Sequence, residues 1–365
     1  MSKILLISPD KKIPNVALMK LSAWHKQKGD TVMPLNFFFG TAEADTIYVS
    51  CIFPENMKLL PALPQDKTIY GGVGYDLIVK DDKFIMRGGG MSKLPEDAEH
   101  IKPDYSLYDL KYSVGFTSRG CIRTCPWCAV PIIEGKIRPT NDIYEFLEKK
   151  FDTVRILDNN PLALHDHFVT IGNQIIKEDK YAIFDGLDAR VLTDKTAEVL
   201  SKIKTRSEKL KFALDAYESI DQVENGIHCL MKHGAMSKTL FYVLLDFGEP
   251  IEQEIARIKV LMKYNASIYP MFYNNKWKEM DKLLRNYPVR EVLKMRTDQR
   301  IFKRFMRYLC FKLGFYNKYR REIDDKRLRE FQDKTYKELK WKDGKFPGIK
   351  KLKEELKNEK NNDMV

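Results

Sequence analysis

The sequence predicts an α/β fold, in which a Rossmann-like N-terminal domain is followed by a partial (β/α)6 barrel and a basic helical C-terminal extension. Two observations carry this prediction. Short apolar runs of strand length alternate with amphipathic stretches along most of the chain, which is typical of parallel βα units. The 365 residues are 44% hydrophobic and 12% aromatic, which is enough to bury the core of more than one domain.

The N-terminal domain is predicted over residues 1–80. It begins with the apolar strand "KILLISPD", and the next stretch, "PNVALMKLSAWHKQKGD", places apolar residues on one helical face before Gly29. Further apolar runs that suit buried parallel strands are "TVMPLNFF", "ADTIYVSCIF" and "KTIYGGVG". Residues 81–111 are rich in Gly, Pro and charge, and this composition predicts a linker.

The partial barrel is predicted over residues 112–277. Its six strand candidates are "YSVGFTS", "TVRILDN", "YAIFDG", "LKFALDA", "TLFYVLLDF" and "ASIYPMFY". Amphipathic stretches such as "NDIYEFLEKKF" and "IEQEIARIKVLMKY" separate the strands and predict the intervening helices. In such sheets the chemistry gathers at the carboxyl ends of the strands.

The C-terminal extension is predicted over residues 278–365. Residues 281–365 hold 26 Lys and Arg against 14 Asp and Glu, which accounts for the whole net charge of +12. Basic residues interleaved with aromatic ones are able to bind RNA or another polyanion, which is one interpretation of this stretch. The stretch also fits ordinary amphipathic helices with apolar residues at three- and four-residue spacing, and we favour that interpretation. These residues are Phe302, Met306, Leu309 and Leu313.

Half of the six cysteines stand in "RGCIRTCPWC", where Cys121, Cys125 and Cys128 form a C-x3-C-x2-C motif after the first barrel strand. No apolar run of about 18 residues occurs, and the start "MSKILLISPD" lacks a signal-peptide layout, so we expect a cytoplasmic protein with no membrane span. Thiols stay reduced in that compartment, and a tight cluster there predicts metal binding or redox chemistry. The other cysteines are predicted to be small buried residues: Cys51, Cys229 and Cys310.

Two kinds of metal site compete for these three thiols. A structural zinc ion requires four ligands, and His165 or His167 in "LALHDHF" would have to supply the fourth, although both are expected to be exposed residues at a helix start. A [4Fe–4S] cluster is normally held by four thiolates, so three thiolates leave one iron open for a substrate. The second kind of site suits the motif better.

The motif "RGCIRTCPWC", with Trp127 before its third cysteine, resembles the cluster loop of the radical S-adenosylmethionine superfamily. The resemblance implies that the open iron binds S-adenosylmethionine, which is reductively cleaved to methionine and a 5′-deoxyadenosyl radical. That radical would abstract hydrogen from a substrate that the sequence does not identify. The resemblance also implies a reductant such as flavodoxin or ferredoxin as a partner.

Later segments extend the likeness toward the branch of the superfamily with a cobalamin-binding-like N-terminal domain. The stretches that carry it are "ILDNNPLA", "GLDARVLT", "FALDAYES" and "LLDFGEPIEQE". The resemblance implies cofactor contacts from the following residues, to the methionine amino group, the methionine carboxylate and the adenosyl group: Trp127, Asp158, Asn159, Asn160, Arg190, Asp215, Gly248 and Glu249. Each also has an ordinary interpretation as a turn former, helix start, surface ion pair or packing residue.

Cobalamin itself is not expected. The related family uses a D-x-H-x-x-G signature, which this sequence lacks, and His25 lies in the predicted first helix without the leading aspartate. The leading hypothesis is therefore a radical S-adenosylmethionine enzyme without a corrin. A non-catalytic or electron-transfer iron–sulfur protein and a zinc-stapled nucleic-acid-binding module are the alternatives.

Overall fold

The computed structural model describes residues 1–10, 13–80, 83–87, 92–206, 209–245, 247–264 and 266–272. It has a mixed α/β fold with parallel sheets, as predicted. The predicted basic extension, residues 278–365, lies outside the described residues, and so does the polyanion surface that it would carry. Within the described part, no helix has the length and apolar character that a membrane span needs.

Fourteen strands and eight α-helices lie in the described residues. The strands are β1 (Lys3–Ile7), β2 (Thr31–Val32), β3 (Thr46–Ser50), β4 (Thr68–Gly71), β5 (Leu77–Lys80), β6 (Lys83–Met86), β7 (Ser113–Gly115), β8 (Ser118–Arg119), β9 (Arg138–Pro139), β10 (Thr153–Ile156), β11 (Tyr181–Phe184), β12 (Leu210–Ala213), β13 (Thr239–Leu245) and β14 (Ile268–Phe272). The helices are α1 (Val16–Gln27), α2 (Val73–Asp76), α3 (Glu96–Glu99), α4 (Val130–Ile133), α5 (His165–Lys177), α6 (Asp194–Lys202), α7 (Ile220–Lys232) and α8 (Ile251–Lys263). Residues 81–111, predicted as a linker, contain β6 and α3.

The first sheet has the strand order β2-β1-β3-β4, with every pair parallel. Alternate residues of β1 serve opposite faces, so Ile4 and Leu6 pack with Leu18 of α1 while Leu5 packs with Ile47 of β3. Burial of each such side chain stabilises the folded state by roughly 1.5–3 kcal/mol. The apolar runs of the N-terminal segment therefore form a parallel sheet covered on both faces.

The second sheet has the order β11-β10-β7 and is also parallel. Buried Phe184 of β11 packs against Phe168 of α5, with ring centroids 5.8 Å apart. Gly172 lets α5 approach α6, because a Cβ atom there would lie 2.2 Å from Val199. The carboxyl ends of β7, β10 and β11 point to one edge, where the candidate site lies.

The first crossover of this sheet departs from the sequence prediction. The stretch "NDIYEFLEKKF" was predicted as a helix, but it forms only a 3₁₀ turn over Ile143–Glu145. The hydroxyl of Tyr105 donates to the carbonyl of Phe146 at 2.6 Å, and the Ser113 hydroxyl accepts from the amide of Glu148 at 2.8 Å. These bonds use backbone groups that a continuing helix would need, so tertiary contacts override the amphipathic pattern.

The chain divides into two compact units. The first contains residues 1–213 and 221–240, and the second contains residues 214–220 together with the described residues from 241 onward. In the second unit β13 and β14 pair in parallel, with Phe241 opposite Ile268. The Leu214 amide donates to the Tyr242 carbonyl at 2.9 Å, which ties the short N-terminal piece of this unit to β13.

Candidate functional site

A closed loop between β8 and β9 carries the three clustered cysteines. Strands β8 and β9 pair antiparallel, with Arg119 opposite Arg138. Beyond this pair, the amide of Cys121 donates to the carbonyl of Gly135 at 3.2 Å. Residues 120–135, named here the cysteine loop, are therefore held together at their two ends.

Gly120 makes the close approach at the base of the loop possible. Its φ is +81°, and a Cβ atom there would lie 2.4 Å from the carbonyl oxygen of Lys136. Both conditions exclude a side chain. Because Gly120 directly precedes Cys121, this backbone geometry fixes the position of the Cys121 backbone at the base of the loop.

Glu134 closes the base of the cysteine loop from the other end. Its Oε2 accepts from the amide of Gly120 at 2.7 Å and from Nδ2 of Asn159 at 2.8 Å, and its Oε1 pairs with Arg119 at 3.1 Å. The side chain is only 9% exposed. Sequence reasoning missed this residue, although it is the one carboxylate among four basic residues in 119–138.

The three thiols are half-buried, and no disulfide joins any two of the described cysteines. The sulfur of Cys121 accepts from the amide of Arg123 at 3.3 Å and from Nδ2 of Asn160 at 3.6 Å. The guanidinium of Arg190 interacts with the side chain of Cys125. Donors directed at sulfur are the contacts that tune a metal-bound thiolate.

Trp127 is half-buried between the second and third thiols, and the amide of Cys128 donates to the carbonyl of Cys125 at 3.0 Å. Cys51, by contrast, is fully buried as predicted, whereas Cys229 is half-buried and so departs from its prediction. Cys310 lies outside the described residues.

Asp158 connects the ends of two neighbouring strands. It follows β10, and its carboxylate accepts from the amide and hydroxyl of Thr117 at 2.7 and 2.6 Å. It also accepts from the hydroxyl of Ser118, the first residue of β8, at 2.6 Å. Burial raises the pKa of this carboxyl and outweighs the opposing effect of the hydroxyl donors. The carboxylate predicted to meet a cofactor is thus engaged in holding the base of the cysteine loop.

The two asparagines after Asp158 reach the cysteine loop directly. Asn159 binds Glu134, as described above, and Asn160 donates to Cys121 and, at 3.3 Å, to Oδ2 of Asp188. Oδ1 of the buried Asn160 has no hydrogen-bond partner in the part of the chain that the structure describes. A buried acceptor without a donor is costly, and it suits a ligand that brings a donor.

Asp188 organises the two arginines nearest the thiols. It accepts from Nε and Nη2 of Arg190 at 2.7 and 3.0 Å and from Nε of Arg123 at 3.2 Å. Burial raises the pKa of the Asp188 carboxyl, but the bonds and charge of Arg190, helped by Arg123, hold it below the ordinary value. The sequence analysis named Arg190 and overlooked Asp188, whose place two residues earlier is that of a turn cap.

The three remaining predicted residues lie in the second unit. Oδ1 of Asp215 accepts from the amide of Leu244 at 2.8 Å, and Gly248 has a φ of +93°. Glu249 accepts from the amide of Tyr217 at 2.8 Å and pairs with Nη2 of the buried Arg257 at 2.7 Å. In this unit Asp215 therefore holds the backbone near the carboxyl end of β13, and Glu249 holds the backbone at Tyr217.

The two histidines considered as zinc ligands contact backbone carbonyl groups instead. Nε2 of His165 lies 2.9 Å from the carbonyl of Val191, and Nε2 of His167 lies 2.9 Å from the carbonyl of Thr117. Both stand in the first turn of α5, as predicted, but only His165 is exposed, and His167 is half-buried, contrary to the prediction. Across the described residues, no group of three or more His, Cys, Asp or Glu is arranged to hold a metal ion.

A single ion and an iron–sulfur cluster need different arrangements of ligands. One ion requires its ligands to converge on a point, whereas each thiolate of a cluster holds a separate iron, so the sulfurs surround a volume. The cysteine loop offers three half-buried thiols, the ligand type that iron–sulfur clusters use, and two hydrogen-bond donors are directed at the sulfur of Cys121. Compared with protein-family models and with curated proteins, the chain matches none.

Proposed function

We propose that this protein is a radical S-adenosylmethionine enzyme that holds a [4Fe–4S] cluster through Cys121, Cys125 and Cys128. In this proposal the first sheet belongs to a Rossmann-like domain and β7 with β10 to β14 belong to a partial (β/α)6 barrel. The observation that carries the proposal is the closed loop that presents three thiols at the carboxyl ends of β7 and β10. That edge is where sites of parallel α/β sheets gather.

When bound, the cluster supplies one electron that breaks a carbon–sulfur bond of the cofactor's sulfonium, leaving methionine and a 5′-deoxyadenosyl radical that takes a hydrogen atom from the substrate. The residues of the chain bind and orient the cofactor. Oδ1 of Asn160, buried and without a partner among the described residues, is the acceptor that we assign to the methionine ammonium group. Its amide nitrogen meanwhile contacts Cys121, so one side chain bridges thiol and ligand.

Arg190 is assigned to the methionine carboxylate. A guanidinium has five donors, and Asp188 accepts from Nε and Nη2, which leaves the guanidinium able to reach a second carboxylate beside Cys125. Asp188 then acts as the positioning residue that keeps Arg190 in place. Asp158 is reassigned from cofactor binding to holding the base of the cysteine loop.

Anaerobic reconstitution with iron and sulfide, followed by dithionite and S-adenosylmethionine, tests the proposal. We expect about four irons per chain and release of 5′-deoxyadenosine, detected by chromatography. A reducible cluster that leaves the cofactor intact would indicate the electron-transfer alternative. A chain that retains one zinc and no iron would contradict the proposal outright.

Cobalamin is not part of the proposed reaction. His25, which lies in α1, is buried, and its two ring nitrogens contact Oδ2 of Asp30 at 2.8 Å and the hydroxyl of Tyr48 at 3.3 Å. A histidine engaged in this way is not presented to a ligand. Stoichiometric corrinoid in protein purified after growth with cobalamin would contradict this part of the proposal.

A further inference from the structure

Arg123 of the cysteine loop has a guanidinium group that is anchored at only one of its nitrogens. Its Nε donates to Oδ2 of Asp188 at 3.2 Å, and its backbone amide donates to the sulfur of Cys121 at 3.3 Å. Neither Nη group of Arg123 forms a hydrogen bond within the part of the chain that the structure describes. The side chain is 31% exposed, so a ligand can reach these two groups.

Asp188 does not neutralise both of the arginines that it binds. One carboxylate pairs with Arg123 and with Arg190, so the cluster has one guanidinium charge in excess. Oδ2 accepts from Arg123, Arg190 and Asn160, and Oδ1 accepts from the amide and Nε of Arg190. A carboxylate has about four lone-pair positions, so Asp188 has no capacity left for the Nη groups of Arg123.

The bond to Asp188 also holds the Arg123 guanidinium in place before a ligand arrives. Asp188 is buried, with 7% of its side chain exposed. A guanidinium anchored through Nε presents its two Nη groups as a fork, which matches two oxygens of a carboxylate or a phosphate. Binding to such a fork loses less side-chain entropy than binding to an unanchored surface arginine.

The charge of the cysteine loop favours the same kind of ligand. Residues 119–138 contain four basic residues, and their one carboxylate, Glu134, pairs with Arg119 and accepts from the Gly120 amide. A net positive charge raises the local concentration of anions and steers them toward the loop.

We propose that Arg123 is a substrate-binding residue and that the substrate carries an oxyanion, a carboxylate or a phosphate, which the Nη groups of Arg123 hold beside the cysteine loop. The inference rests on the proposed function, which requires a substrate near the cluster without identifying it. The methionine carboxylate is assigned to Arg190, so the anion at Arg123 belongs to a second molecule. This anion positions the substrate, and the hydrogen is abstracted from a carbon elsewhere in it.

An ordinary solvated arginine is the competing interpretation of Arg123. Arg206 is such a residue, since it pairs with Asp152 at the surface and the two side chains are 55% and 54% exposed. Arg123 differs because its carboxylate partner is buried and is shared with a second arginine. Arg206 is therefore the matched control.

Modification by phenylglyoxal, which reacts with accessible arginines, tests the inference on the full-length chain. The chain is reconstituted with iron and sulfide, saturated with S-adenosylmethionine and kept without reductant, so that the cofactor stays intact. Inorganic phosphate and acetate are the probes, and peptide mass spectrometry follows each arginine. We expect phosphate or acetate to slow the modification of Arg123 and to leave that of Arg206 unchanged. The more effective probe identifies the kind of oxyanion.

Variants of the same chain give a second measurement, the affinity for inorganic phosphate by phosphorus NMR titration. Arg123→Lys keeps the charge but loses the fork, and should weaken binding about tenfold, which corresponds to about 1.4 kcal/mol. Arg123→Gln should bind more weakly still, whereas Arg206→Lys and Arg206→Gln should bind like the unchanged chain. Iron content of each variant shows that the cysteine loop is intact.

The outcomes separate this inference from the proposed function. If S-adenosylmethionine alone protected Arg123 and neither probe added protection, both arginines would hold the cofactor and the inference would be overturned. Equal reactivity of Arg123 and Arg206 under all conditions would overturn it too. Cofactor cleavage with dithionite would leave the function standing in either case. Protection of Arg123 by phosphate in a chain that takes up no iron would contradict the proposed function, while the anion site would stand.

Discussion

At the carboxyl edge of each parallel sheet of the first unit, a buried carboxylate holds the loop of a neighbouring strand. The two edges differ in how exposed their cysteines are. At the first sheet, Asp10 after β1 accepts from the amides of Ile52 and Phe53 after β3, at 2.6 and 3.2 Å. At the second sheet, Asp158 after β10 accepts from the amide of Thr117 and the hydroxyl of Ser118, which follow β7, at 2.7 and 2.6 Å. In each case a buried carboxylate fixes the loop of a neighbouring strand.

The difference lies in the cysteines that these loops carry. Cys51 at the first edge is fully buried, and its thiol donates to the carbonyl of Phe53 at 3.1 Å. Gly72 closes over it so tightly that a Cβ atom there would lie 2.4 Å from the Cys51 carbonyl. The thiols of the second edge are half-exposed and face arginine and asparagine donors.

Cysteines at the carboxyl edges of two similar sheets thus have opposite environments, one buried against a carbonyl and the others half-exposed, with amide donors directed at the sulfur of Cys121. Burial with a carbonyl acceptor keeps a thiol protonated, whereas exposure beside cationic and amide donors prepares a sulfur for metal.

The largest effect concerns iron. Replacing Cys121, Cys125 or Cys128 with Ala should abolish the cluster, because each thiolate holds its own iron. Cys51→Ala should keep full iron content and cost about 1 kcal/mol of stability, the ordinary effect of a buried substitution. Iron and sulfide assays on reconstituted protein provide the measurement. Loss of iron in Cys51→Ala with retention in Cys121→Ala would invert the comparison.

Thiol alkylation should separate the two edges in the iron-free chain. Burial, followed by the nearby charge of Asp10, raises the pKa of Cys51 to about 11, so little of it is thiolate near neutral pH. We expect iodoacetamide to modify the loop thiols well before Cys51, as read by peptide mass spectrometry. Modification of Cys51 at the same rate in folded protein would show that the first edge is open.

Glu134 should matter more to iron retention than its place outside the cysteine motif suggests. Glu134→Ala leaves the Gly120 amide and the Asn159 side chain without their acceptor, at a cost of about 1–3 kcal/mol. Glu134→Gln keeps one acceptor and should fall between Ala and the unchanged residue, both in unfolding and in the rate of iron loss to a chelator.

The control for this prediction is Glu198→Ala. Glu198 forms an exposed pair with Lys202 one helical turn away, and solvent screens such a pair so that it adds little to stability. If both alanine variants lost iron equally slowly, the base of the cysteine loop would not depend on Glu134.

The smallest effect is a difference in pH dependence between two carboxylates. Burial of Asp104 raises its pKa, but bonds from Lys26, Ser106 and Ser22 outweigh this and lower it to about 2. The contribution of Asp104 to the free energy of unfolding is therefore fully present above pH 3.8, the pKa in the unfolded chain. This contribution amounts to roughly 2 kcal/mol and is lost as pH falls toward 2. Asp104→Asn should remove that dependence in urea unfolding.

The contribution of Asp158 to stability should change with pH in the opposite direction. Because burial raises its pKa, its contribution is greatest below 3.8 and declines as pH rises through the folded value. Unfolding of Asp158→Asn across the same pH series checks this. A slope of the same sign as for Asp104 would mean that its hydroxyl donors outweigh burial.

The sequence pattern predicted the strands, whose formation depends mainly on local composition. Each of the six apolar runs assigned to barrel strands contains a strand, because burial of a short apolar segment depends mainly on its own composition. The helix expected in "NDIYEFLEKKF" was wrong because Tyr105, about 40 positions earlier, takes the carbonyl of Phe146. Such a bond leaves no periodic trace in the sequence.

Some residues of the candidate site could likewise be predicted from the sequence, and others could not. The spacing of the three cysteines was visible, since chemistry constrains it directly. The parts played by Glu134 and Asp188 were not, because both residues act through partners brought together by the fold. Asp158 was picked out by its position after a strand, but its bonds to Thr117 and Ser118 could not be read from that position.

The closed base of the cysteine loop also bears on the order in which the chain is assembled during synthesis. The pairing of Ser118 with Pro139 and the bond between Gly120 and Glu134 involve only residues 118–139, so this hairpin can form as soon as that segment leaves the ribosome. The bond from Thr117 to Asp158 spans 41 positions and must wait for β10. The three cysteines can therefore be brought onto one closed loop before the sheet behind them is complete.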